Sequence, residues 1–236
     1  MSGKRLEGRT ALVTGASRGI GAAVARRFAA EGAHLILIAR TVGGLEEVDD
    51  AVRAVGGSAT LMPADLLDMD QIDRIAAAVY ERFGKLDILV GNAGTLGILS
   101  PVGHVDPKVW DETIALNLTV NYRLIRAFDA LLRQSDAGRA IFVSSGAARN
   151  ANPYWGAYSA SKAGLEALVQ TYAGEVSKTT IRVNIVSPGS VRTSMRAQAF
   201  PGEDPMSLAA PDDITDVFVQ LAAADCAMNG AILNAQ

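Results

Sequence analysis

One cysteine, two histidines and no long apolar run set the first limits on this chain. Cys226 has no second cysteine to pair with, so an internal disulfide is excluded. His34 and His104 stand apart in the sequence, and no cluster of ligand types at metal-binding spacing forms around either. Redox chemistry here therefore calls for an organic cofactor, and no metal site is expected. No segment reaches the ~18 apolar residues of a membrane span, and the opening M-S-G-K-R-L-E-G-R lacks the apolar stretch of a signal peptide. The expectation is a cytoplasmic protein without a membrane partner. An excess of positive charge is missing too. With a formal net charge of -3, a pI near 5.4 and scattered basic residues, the chain lacks the footprint of a nucleic-acid binder.

What the chain does have is repeated alternation of short apolar strands with amphipathic helices. Its 236 residues would suit one or two domains by length; the unbroken alternation argues for one, spanning 1–236. The expected class is α/β, a doubly wound parallel sheet of the Rossmann type in three α/β/α layers. Arg9 to Thr14 reads as a buried strand, followed at once by Gly15-Ala16-Ser17-Arg18-Gly19-Ile20-Gly21 and a helical run through Phe28. Strand, glycine loop and helix make a nucleotide-binding arrangement. The glycines permit a tight turn and close backbone approach to a pyrophosphate at the positive end of a helix. The second strand, His34 to Ala39, ends without a carboxylate for ribose hydroxyls and is followed by Arg40. Arg40 and Arg18 suit a 2′-phosphate, so NADP is expected over NAD.

Further strands read over Ala59 to Ala64, Leu86 to Val90, Gly138 to Ser144 and Ile181 to Ser187. Asp65, with Leu66 beside it, closes one of them, either capping the next helix or meeting an adenine amino group. Asn92-Ala93-Gly94 follows another, small enough for a backbone to lie against adenosine. Pro107 to Arg133 reads as one long helix with Asn117 in its middle, where asparagine disfavours regular helix; a distortion or a functional hydrogen bond is expected there. Pro188-Gly189 ends the strand at Ser187, and the irregular stretch 190–211 has the character of a substrate-covering loop. A helix over Asp212 to Ala224 and a strand over Ala231 to Leu233 complete the pattern.

The stretch from Ser145 to Lys162, S-G-A-A-R-N-A-N-P-Y-W-G-A-Y-S-A-S-K, concentrates the chemistry. Tyr158 and Lys162 lie at i and i+4 of a helix, which places an ammonium beside a phenol and favours its ionised form. A phenol with a pKa of about 10 is a poor acid or base near neutrality, and a neighbouring cation makes it a usable one. Ser145 projects from a strand's carboxyl end, where ligands bind in open α/β sheets. Arg149 and Arg196 read as solvated loop charges in preference to contacts for an anionic acyl carrier.

Together these segments resemble the short-chain dehydrogenase/reductase family in its short single-domain form. The matching motifs are T-G-A-S-R-G-I-G at Thr14 to Gly21, Asp65, N-A-G at Asn92 to Gly94, Asn117, Ser145, Y-S-A-S-K at Tyr158 to Lys162, and P-G-S-V-R-T at Pro188 to Thr193. The resemblance implies a catalytic set of Asn117, Ser145, Tyr158 and Lys162. Tyr158 would be the general acid in carbonyl reduction and base in alcohol oxidation, and Ser145 would hold the substrate oxygen. Lys162 would bind the nicotinamide ribose and lower the phenol's pKa, and Asn117 would support a water leading protons to Lys162. Pro188, Gly189, Val191 and Thr193 would hold the nicotinamide end. Gly91 departs from a common second asparagine, and the ending N-G-A-I-L-N-A-Q departs from the D-G-G that many relatives use in a tetramer interface. The implied function is NADP-dependent hydride transfer to a small carbonyl or secondary alcohol, with a 3-oxoacyl thioester as an analogy-based substrate. The chain is expected as a homo-oligomer, a dimer at least, with a tetramer left open. A cofactor-sensing protein on the same scaffold, without turnover, is the alternative.

Overall fold

The computed structural model describes residues 3–236. Seven strands form one sheet, all parallel: β1 (Thr10–Thr14), β2 (His34–Ala39), β3 (Ser58–Pro63), β4 (Ile88–Gly91), β5 (Arg139–Val143), β6 (Arg182–Ser187) and β7 (Ile232–Asn234). Their spatial order is β3-β2-β1-β4-β5-β6-β7, so the winding reverses between β1 and β4. Ligands bind outside the carboxyl ends of the strands at such a reversal.

The strands read as continuous apolar runs because both of their faces are covered. Ala11, Val13, Leu35 and Leu37 join a core under α1 (Gly19–Ala30), α2 (Val42–Ala54) and α8 (Asp216–Ala222). Leu12, Ile36 and Ile38 point the other way, into a core built with α3 (Met69–Phe83), α5 (Val120–Arg133) and α6 (Gly156–Glu175). At the amino ends of the strands, buried Arg9 donates to the carbonyls of Asp87, Ala137 and Ala222, and buried Arg139 to those of Gly138, Thr180, Ala223 and Ala224. That edge is closed by these bonds, and the opposite edge is left for ligands. No helix among the described residues is long and apolar enough to cross a membrane.

Three expectations change in detail. The long helix over Pro107 to Arg133 is three pieces: α4 (Pro107–Ile114), a π-helical turn at Ala115–Thr119, and α5. The irregular stretch 190–211 holds a helix, α7 (Ser194–Ala199), and is pinned at its base by a parallel bridge between Val191 and Ala209. The terminal helix is also shorter than expected, a 3₁₀ turn over Pro211–Ile214 preceding α8.

Candidate active site

The glycine loop between β1 and α1 is fitted to a pyrophosphate. Gly15 and Gly19 have φ of +64° and +57°, which side-chain-bearing residues rarely adopt. A Cβ on Gly21 would stand 2.3 Å from the Gly15 carbonyl oxygen, so the helix can approach the strand this closely only without one. No side chain caps α1, leaving its first N–H groups free to receive an anion. The Asn92 amide donates to the Thr14 carbonyl at 2.9 Å, and the Thr14 hydroxyl accepts from the Asn92 and Ala93 N–H groups at 3.0 Å each. Asn92 therefore ties two loops together with its side chain.

A cleft of about 620 Å³ opens from this loop. Of the residues expected at the cofactor, Gly15, Ser17, Arg18, Gly19, Ile20, Arg40, Asp65, Leu66, Asn92, Ala93, Gly94 and Thr193 line it. Gly21 acts behind its wall, and Tyr158, Lys162, Pro188, Gly189 and Val191 do not line it: Tyr158 and Lys162 are buried beyond it, Gly189 packs on the Gln236 side chain, and Val191 is held by its bridge to Ala209. Asp65 accepts from the Leu67 N–H at 3.1 Å; α3 starts only at Met69, so Asp65 shapes the turn and does not cap the helix. Arg18 and Arg40 are exposed and form no ion pair among the described residues. The sequence reading missed Thr41, Gly44 and Glu47 in this wall. The Gly43-Gly44 pair was the available signal, since a Cβ on Gly44 would lie 2.9 Å from that of Ser17.

At the carboxyl end of β5 the chemistry-bearing residues converge. Asn117, Tyr158 and Lys162 are all buried. The Asn117 side chain, turned inward by the π turn, accepts from the Thr95 N–H at 2.8 Å and donates to the Thr95 carbonyl at 2.9 Å and the Ser161 hydroxyl at 3.0 Å. Its amide is fully engaged by protein groups. Its main-chain carbonyl accepts from the Asn121 side-chain amide at 2.8 Å. Asn121 also explains Gly91, where a Cβ would stand 2.5 Å from the Asn121 side-chain oxygen and 2.5 Å from the Phe142 ring. The room a second asparagine would need is taken from the neighbouring helix.

The Lys162 ammonium donates to the Val143 carbonyl at 2.8 Å and lies 5.9 Å from the centre of the Tyr158 ring. Burial lowers its pKa to about 8, against the field of Glu166, which raises it. For Tyr158 burial dominates as well, pushing the phenol above its ordinary value, while the Ser145 hydroxyl draws it partly back. This runs against the expected lowering: the ammonium is turned to the Val143 carbonyl, and desolvation of a phenolate outweighs the bond from Ser145. A phenol in this state keeps its proton near neutrality and can serve as an acid.

Tyr158 packs with Leu96, Ala147, Leu99, Trp155, Met195 and Ala199, the last two from α7. Trp155 meets Tyr158 edge-on at 5.8 Å between centroids, and Phe200 stacks on Trp155 at 5.8 Å. Arg196 lies 3.8 Å over the Phe200 ring and pairs with Glu203 through two 2.6 Å bonds. Arg149 pairs with Glu166 at 2.6 Å and donates to the Ser187 hydroxyl at 3.3 Å. Arg149 is exposed, as the sequence suggests, and Arg196 is partly buried; each is paired with a carboxylate.

The family profile described as short chain dehydrogenase matches residues 9–204. The oxidoreductase YciK of Escherichia coli K12, itself uncharacterized, is 37% identical over 219 residues, covering 92% of this chain and 86% of its own. A protein of Pseudomonas syringae classed with the short chain dehydrogenases superposes with a TM-score of 0.96 at 39% identity, over 99% of this chain and 96% of its own. A similarly classed protein of Escherichia coli CFT073, solved with NADPH, gives 0.95 at 36% identity, over 99% and 98%.

Proposed function

The chain belongs to the short-chain dehydrogenase family of oxidoreductases, and on that premise we propose that it reduces a neutral, largely apolar carbonyl compound with NADPH. The observation that carries this reading is the buried phenol of Tyr158 beside Ser145 and Lys162, packed against Met195 of the cleft wall. NADPH, held by the glycine loop with Arg18 and Arg40, would supply the hydride to the carbonyl carbon. Ser145 holds the carbonyl oxygen, and Tyr158 gives it the proton, to be replaced from solvent by way of the Lys162 side. Lys162 also meets the nicotinamide ribose. The stretch 190–211 covers the substrate, with Met195 and Phe200 completing an apolar wall against Leu96 and Trp155. A 3-oxoacyl thioester fits through its acyl chain, but Arg149 and Arg196 are spent on internal carboxylates and offer no free cation to a carrier. A panel of ketones, aldehydes and acyl thioesters followed by NADPH absorbance tests the reading; no turnover with any carbonyl compound overturns it.

Cofactor choice follows from Ala39, Arg40 and Arg18. Ala39 offers no carboxylate to a ribose diol, and two unpaired guanidiniums stand by. A charge-assisted hydrogen bond contributes ~1.5–3 kcal/mol, although solvent exposure reduces it. One such contact still gives roughly tenfold preference for NADP at 1.4 kcal/mol per decade. Titration of both reduced cofactors by intrinsic fluorescence is expected to show that preference, weakening at high salt and reversing in Ala39→Asp/Arg40→Leu. Equal or tighter NADH binding by the unmodified protein means the arginines do not meet the phosphate.

For assembly we propose a homodimer formed across the outer faces of α5 and α6. Tyr122 is 48% exposed on α5, while Ala160, Ala163 and Ala167 give α6 a flat exposed face. Light scattering at micromolar concentration is expected to return at least twice the 24.7 kDa chain mass; a monomer refutes it.

A further inference from the structure

Three consecutive residues at the end of β5 face three successive turns of α6. Ser145 faces Tyr158, the Val143 carbonyl accepts from Lys162, and the Ser144 hydroxyl donates to Glu166 at 2.7 Å. Tyr158, Lys162 and Glu166 stand at i, i+4 and i+8, so one stripe of the helix carries all three. Two of these pairs belong to the proposed reaction and the third does not. Glu166 is buried, 7% exposed, and burying a carboxylate costs several kcal/mol unless it is paired. Its partners come from two segments: Ser144 from the end of β5, and Arg149 from the turn that follows. Arg149 in turn reaches Ser187, the residue before the Pro188-Gly189 segment.

We propose that Glu166 is a positioning residue for this reaction, one whose negative charge keeps the neighbouring Lys162 ammonium charged while Arg149 and Ser144 lock the carboxylate to the strand ends. The inference rests on the catalytic reading given above. Hydrogen bonding alone does not require a carboxylate, because a glutamine side-chain oxygen could accept from both Ser144 and Arg149. What the charge adds is a field on Lys162 that opposes burial, which has already brought the ammonium's pKa down to about 8, close to working pH. The other charged or titratable groups facing this stripe are Tyr158 from the same helix and Arg149. The π turn and the end of β6 contribute only the neutral Asn117 and Ser187, and α4 keeps Lys108, Asp111 and Glu112 exposed on its outer side.

Glu166→Gln and Glu166→Asp separate charge from hydrogen bonding. Glutamine keeps the acceptor and loses the charge; aspartate keeps the charge and loses the reach. If charge is what matters, Glu166→Gln moves the alkaline limb of kcat for carbonyl reduction down by about one pH unit, a loss of about fivefold at pH 8 that approaches tenfold above it, whereas Glu166→Asp leaves the limb in place even with a lower plateau. A second readout is independent of turnover. The folded-state pKa of Lys162 lies below its unfolded value, so stability rises with pH from about 8 upward, and in Glu166→Gln that rise in melting temperature should begin about one unit lower. A wild-type limb and melting profile in Glu166→Gln, with a displaced limb in Glu166→Asp, overturns the proposal. Should Glu166→Gln not fold, a limb displaced by a unit in Glu166→Asp overturns it alone. If the unmodified protein reduces no carbonyl compound, the catalytic reading fails, while the melting profiles still decide whether Glu166 sets the charge on Lys162.

Discussion

Replacing Tyr158 by phenylalanine is expected to lower carbonyl reduction by roughly a hundredfold to ten-thousandfold, the range contributed by a positioned general acid, while NADPH binding stays near that of the unmodified protein. The substitution removes one hydroxyl and keeps the ring that packs on Leu96, Ala147 and Trp155. Burial holds the phenol's pKa above its ordinary value, so the group lost is a protonated acid across the neutral range. The variant should also fold without difficulty, because no described protein group depends on the phenol for its only hydrogen bond. Stopped-flow NADPH consumption and fluorescence titration give the two numbers separately. Turnover within threefold of the unmodified protein, a loss well under one decade, would remove Tyr158 from the proton path.

The strands and the nucleotide loop were legible in the sequence because each depends on local chemistry. An apolar run buried on both faces has no polar alternation to confuse it, and the glycines at 15, 19 and 21 are each forced by a positive φ or a close approach. Asn117 was legible as a helix-disfavouring residue, and the π turn is where that disfavour is released. What remained hidden depends on contacts between distant elements. The pairing of Arg149 with Glu166 joins residues 17 positions apart, and nothing in either neighbourhood marks a loop arginine as a partner of a buried helix carboxylate. The direction of the Tyr158 shift was hidden for the same reason. Spacing shows that Lys162 is near, but only the fold shows that Val143 holds the ammonium and that the phenol is buried deeply enough for desolvation to prevail. Gly91 looked like a departure from the family's pattern, and only the packing of Asn121 and Phe142 shows what occupies the space.

Lys162→Met should abolish most activity and yet melt higher than the unmodified protein. A lysine pKa brought from 10.5 to about 8 corresponds, at 1.36 kcal/mol per unit, to about 3 kcal/mol held against the folded state at neutral pH. Losing the bond to the Val143 carbonyl returns about 1 kcal/mol of that, since a buried acceptor is left without one partner. The net gain of about 2 kcal/mol amounts to about 4–8 °C for a chain of this size. The sign has a pH signature. Below pH 8 both states of the unmodified protein carry the proton and the penalty is present in full. Between 8 and 10.5 the unfolded state binds more protons, so the unmodified protein gains stability as pH rises, and the difference of about 2 kcal/mol falls through zero before pH 10.5. Activity should fall by at least a hundredfold and NADPH affinity by about tenfold, because the ammonium is assigned to both the proton path and the ribose. Differential scanning calorimetry of the two proteins from pH 7 to 9.5 decides the matter. A variant that melts lower at pH 7 would mean that Lys162 stabilises the fold, and the buried cation would then have no need of a function to explain it.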